Sequence, residues 1–119
     1  MRQKNKVPYS SYEELKQSVV RAIIKLISRS RGTCVTFTGK KIALTANLPP
    51  QPVLLTVIRS ILEELRKEGL ISRYSGRSHG VRYIVTNNSP LWSLVKKRHY
   101  VETKSTTLRY AQALLLEEI

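Results

Sequence analysis

The chain predicts an α+β fold that is mainly helical, with a small antiparallel β-sheet and helices appended at the C-terminus. Three observations carry this reading. Leu54, Ile58, Ile61, Leu62 and Leu65 recur at helical spacing, which makes one stripe of a helix over 51–68 apolar and leaves Thr56, Arg59, Ser60, Glu63 and Lys67 opposite it. Leu15, Val19, Ala22, Ile23, Leu26 and Ile27 repeat the pattern in an earlier helix. After Gly69 the composition changes to short β-favouring runs, Leu70-Ile71 and 81–85, separated by a basic loop that contains glycine.

Composition bounds the rest. A chain of 119 residues forms one domain plus at most one appended element. Its 21 Lys and Arg against 8 acidic residues give a formal charge of +13, the mark of a protein that attracts a polyanion. All the acids are Glu, and none lies between residues 15 and 62 or between 69 and 101. Surplus charge that merely keeps a thermophilic or ribosome-associated protein soluble is the competing account. The single cysteine, Cys34, allows neither an internal disulfide nor a CxxC metal pair, so a reducing compartment is expected. The basic N-terminus lacks an apolar signal core and no run approaches a membrane span, which predicts an intracellular, cytoplasmic protein.

In chain order, residues 1–10 form a basic arm without apolar periodicity. Ser11 and Glu14 make a capping box, and the first helix starts near Tyr12. Lys16, Arg21, Lys25 and Arg29 lie off its apolar stripe, and Arg29 to Gly32 close it. Residues 33–38 are β-branched and aromatic and read as one short strand, with Cys34 a small buried or half-buried filler. Thr38 caps a short helix that ends near Asn47. Lys40 and Lys41 at its first turn oppose the helix dipole at a cost of a few tenths of a kcal/mol, roughly, which a bound phosphate would offset. Pro49, Pro50 and Pro52 fit only a turn and a helix entry, which leaves Gln51 exposed at the tip of the following helix.

A helix ending Glu68-Gly69-Leu70-Ile71, followed by a strand, a glycine-containing basic loop and a second strand, resembles the winged helix-turn-helix family of DNA-binding domains. The resemblance covers residues 11–86. It implies that the short strand at 33–38 pairs with the wing strands, that the helix at 51–68 enters the major groove, and that the wing at 74–82 contacts the backbone or minor groove. On this chain the DNA-binding candidates are Lys40, Lys41, Gln51, Thr56, Arg59, Ser60, Arg73, Arg77, His79 and Arg82. The sequence departs from the family pattern where the helix opens Pro52-Val53-Leu54-Leu55, an apolar start that suits thymine methyls or a protein partner.

Ser89 and Pro90 start a helical extension over 89–119. Leu94, Val101, Leu108 and Leu115 are spaced by heptads, yet Lys97 and Lys104 interrupt a coiled coil and Ser105-Thr106-Thr107 is expected to divide the extension into two helices. Either Leu108, Leu115 and the run Leu114-Leu115-Leu116 form a homodimer contact, or the extension folds back on the first helix. No catalytic constellation or cofactor motif is present: the carboxylates fall on helix faces expected to be exposed, and His79 has no nearby acid. The sequence therefore reads as a non-enzyme with no cofactor, no small-molecule ligand and no membrane attachment. Its expected partner is double-stranded DNA, and its expected role that of a small transcriptional regulator. An RNA-binding or interaction subunit of a replication, transcription or ribosomal assembly is the alternative.

Overall fold

A helix with apolar residues on most of its surface must be wrapped by others, and the first helix decides the architecture. The computed structural model describes residues 12–75, 81–100 and 102–117. Its elements run α1 (Tyr12–Arg29), β1 (Cys34–Phe37), α2 (Gly39–Thr45), α3 (Pro52–Lys67), β2 (Ser72–Ser75), β3 (Arg82–Thr86), α4 (Pro90–Lys97) and α5 (Thr106–Glu117). The chain is thus α+β, and α2, α3, α4 and α5 all pack on α1. Val19, Ile23 and Ile27 of α1 are fully buried, each such side chain contributing about 1.5–3 kcal/mol over an exposed one. The N-terminal arm at 1–10 and Ser11 of the expected capping box lie outside the described residues, as do 76–80 and Val101.

The helix exits are chemically specified. At the end of α3, Gly69 takes φ +81°, the Leu70 N–H donates to the Leu65 carbonyl (3.1 Å), and the Gly69 N–H donates to that of Arg66 (3.0 Å). Asn47 does the same after α2 at φ 62°, with the Leu48 N–H on the Ala43 carbonyl (2.8 Å). In both places the next leucine drops into the core, which turns the chain sharply. Leu70 and Ile71 are core residues that precede β2 rather than forming it.

The three strands form an antiparallel sheet in the order β1-β3-β2. Tyr83 pairs with Phe37 on one side and Arg73 on the other, and the Phe37 and Tyr83 rings stack with centroids 6.3 Å apart. Val35, Phe37, Tyr83 and Val85 therefore share the inner face, and strand alternation sends Cys34, Thr36 and Arg82 outward. Cys34 is accordingly exposed, not the buried filler expected, because the alternation is set by Phe37.

The extension belongs to the core. The Ser89 hydroxyl accepts from the Leu91 N–H (3.1 Å) and donates to the Leu70 carbonyl (2.7 Å), tying the start of α4 to the exit of α3. Leu91, Trp92, Leu94 and Val95 are buried against α1 and β3. The extension divides into two helices as expected: the break begins at Arg98, which takes φ 52°, and ends at Ser105, and Thr106-Thr107 opens α5 rather than belonging to the break. Leu108 and Leu115, the residues assigned to a dimer contact, are inside the chain's own core with Ala111. Of the leucine run in α5, only Leu116 is largely exposed.

A chain ending at Asn88 would uncover the far side of α1. It is expected to lose its cooperative thermal transition by circular dichroism, and a sharp transition close to that of the full chain would contradict the shared core.

Candidate nucleic-acid interface

The buried stripe of α3, Leu54 to Leu65, divides its remaining surface into two flanks. The flank beside the sheet carries Arg59, Glu63 and Arg66. Glu63 accepts from the Tyr83 hydroxyl at 2.6 Å, from Arg66 Nε at 2.8 Å and from Arg73 Nε at 3.3 Å, and Arg59 stands near enough to act on Tyr83 electrostatically. The other flank faces the start of α1. There the Tyr12 hydroxyl donates to Glu64 (2.8 Å), and Lys16 lies 3.3 Å from Glu64 and 3.8 Å from Glu68. Ser60 contacts Tyr12 on this second flank, away from Arg59.

Glu63 is the electrostatic centre of the first flank. Its bond from Tyr83, reinforced by Arg66 and Arg73, pulls its pKa from 4.5 to about 2. Burial, with the same hydrogen bond, pushes the Tyr83 phenol up to about 12. Glu63 is therefore a carboxylate with three donors on it, not a solvated charge on an open helix face. Across the whole of α3 and its cap, Arg59, Arg66 and Lys67 are offset by Glu63, Glu64 and Glu68, so the helix contributes little to the chain's net charge.

The sheet separates two arginines expected to act together. Arg73 pairs with Tyr83 and faces α3, where Glu63 holds it, while Arg82 lies on the outer face and is exposed. Arg77 and His79 lie outside the described residues. Gln51, Arg59, Lys40 and Lys41 are exposed as expected. Thr56 is exposed too, but its hydroxyl donates to the Pro52 carbonyl (3.0 Å), which leaves only acceptor capacity for a base. Thr38 already accepts the Lys41 N–H (3.2 Å), so one backbone donor expected to meet a phosphate is capped internally. Lys41 shares a side of α2 with Thr45, whose hydroxyl donates to the Lys41 carbonyl (2.8 Å).

The Glu63 cluster was not singled out from the sequence. Tyr83 and Arg66 complete it: Arg66 lies one turn after Glu63 on α3, and the strand register, which puts Tyr83 opposite Arg73, brings Tyr83 to the carboxylate. The apolar opening of α3 is exposed at Val53 (79%), and Leu44 of α2, also exposed (53%), stands beside the same turn. Among the described residues no group of His, Cys, Asp and Glu is placed to hold a metal ion, and no helix is long and apolar enough to cross a membrane. Comparison with family models, with curated proteins and with solved structures finds no match to this chain.

The Glu63 cluster makes stability depend on pH at both ends. Glu63 titrates lower in the folded chain, so its contribution is full above pH 4.5 and is lost as pH falls toward about 2. Tyr83 titrates higher, so its contribution holds below pH 10 and is lost as pH rises toward about 12. Glu63→Gln is expected to lower the unfolding free energy at neutral pH by on the order of 2 kcal/mol and to flatten the acid limb. Urea titrations at several pH values measure both, and an unchanged acid limb in the variant would contradict the assignment.

Proposed function

We propose that this chain is a duplex-DNA-binding protein of the winged helix-turn-helix kind, gripping DNA mainly through its phosphates. The observation that carries the proposal is the order α1-β1-α2-α3-β2-β3 with the sheet order β1-β3-β2. This order supports a winged plan, in which α2 and α3 make the helix-turn-helix and β2 and β3 make the wing beside α3. In such a docking Arg59 and Gln51 face the major groove, while Arg82 and the wing arginine Arg77 address phosphates. The net charge of +13 supports a polyanionic partner.

Two observations favour backbone contact over base reading. The Thr56 hydroxyl proton is committed to Pro52, and Ser60 sits on the flank beside Tyr12. Arg59 is then the principal donor left for a base edge. Transcriptional regulation is the role such a module serves if Arg59 selects a site. Leu108 and Leu115 lie in the chain's own core and are not free for the expected dimer contact, which supports a single chain as the binding unit. A second reading, an interaction subunit of a larger nucleic-acid assembly, is favoured by the exposure of Val53 and Leu44 beside the turn. Selection of bound fragments from random duplex DNA separates the two: a regulator enriches a defined site, and an assembly subunit does not.

Counting Lys40 and Arg59 with Arg77 and Arg82, about four cationic contacts are expected to make log K for duplex DNA fall against log salt with a slope of about −4. Fluorescence anisotropy over a salt series measures it, and a flat response would sink the proposal. Arg82→Ala should weaken binding to all duplexes alike, whereas Arg59→Ala should cost about 1–3 kcal/mol on a selected site and less on random DNA. Light scattering on the free chain at micromolar concentration should return one chain per particle, and a dimer would overturn the single-chain unit.

A further inference from the structure

Of the basic side chains of α1, Lys16 faces α3 and Arg21, Lys25 and Arg29 point away from it. Successive helical residues are about 100° apart around the axis. Lys16 reaches Glu64 and Glu68 of α3. Lys25 follows after about two and a half turns and so leaves the axis about 180° from Lys16, with Arg21 and Arg29 within about 40° on either side. All three are exposed, in a row about 12 Å long on the side of α1 opposite α3.

This row borders a cleft. An opening of about 170 Å³ lies between α1 and the end of α2, lined by Ser18, Arg21, Lys25, Thr45 and Asn47. Lys41 stands one turn before Thr45 on the same side of α2. The Tyr110 hydroxyl of α5 takes a hydrogen bond from Arg21 Nη2 (2.7 Å), which holds the guanidinium without neutralising it. No carboxylate occurs between residues 15 and 62, a span that includes nearly all of α1, all of β1 and α2, and the first half of α3. Glu14 marks the N-terminal end of the row.

Cations, hydroxyls and an amide without an interspersed acid suit phosphate oxygens, and a row of this length suits a repeating phosphodiester better than one free ion. We propose that the α1–α2 face is a second backbone-binding site, so that one chain holds two DNA duplexes at once, on opposite sides of α1. The inference rests on the duplex-binding reading above. It makes the protein a bridge between DNA segments, with α1 as the spacer.

The test uses the full chain, an immobilised duplex and a second, fluorescent duplex that is captured only through the protein. Binding to one duplex is measured separately by anisotropy, and circular dichroism checks that each variant folds. Wild type should capture the second duplex. Lys25→Glu with Arg29→Glu should reduce capture about tenfold or more, while single-duplex affinity stays within about threefold. Arg59→Glu with Arg82→Glu should weaken single-duplex binding and capture together. Capture unaffected by the α1 variant, or no capture by a wild type that binds one duplex, overturns the bridge and leaves the proposed function standing. A wild type that binds no duplex overturns the proposed function itself. If the α1 variant loses all binding while the Arg59 and Arg82 variant keeps it, the duplex sits on α1 alone and the two-duplex inference fails.

Discussion

Burial of α1 is the constraint on which the other elements depend. Most of its circumference is apolar, and no single partner helix could cover it, so α2, α3, α4 and α5 are arranged around it. That requirement explains why the helices after β3 are not an accessory. They cover the part of α1 that α2 and α3 leave open, and Leu91, Leu94, Ala111 and Leu115 complete the same core. What remains uncovered on α1 is then the side bearing Arg21, Lys25 and Arg29, where desolvation would be most costly.

The second organising contact is the bond between Tyr83 and Glu63. It joins the middle strand to α3 and fixes the angle between helix and sheet with a phenol whose ring is already clamped by Phe37. The same carboxylate takes Arg66 and Arg73. A surface of α3 that could have been uniformly cationic is therefore partly neutralised from within. The acid serves geometry at the expense of positive charge on α3, and the chain's surplus cations lie elsewhere on the molecule.

The α+β class, the helix positions and the exits of α2 and α3 were legible because local chemistry specifies them. Gly69 and Asn47 occupy left-handed positions that few residues tolerate, and Ser89-Pro90 is a helix start in any context. What was illegible depends on pairing across the chain. Cys34 reads as apolar filler until the register with Thr86 and the burial of Phe37 turn it outward. Arg73 and Arg82 read as one basic cluster until the sheet places them on opposite faces. The heptad leucines suited either a partner or the first helix, and sequence spacing alone does not distinguish the two. Arg98 gives no warning of its left-handed turn, since the residue type does not ask for it.

The sole tryptophan, Trp92, lies buried in α4 with the Lys96 ammonium 5.8 Å from its ring centre. Its surroundings are set by the docking of α4 and not by the exposed surface of α3. The chain therefore carries an intrinsic optical reporter in which emission wavelength follows the seating of its C-terminal helices. A ligand on α3 can be titrated while the same signal shows whether the core behind it has stayed closed.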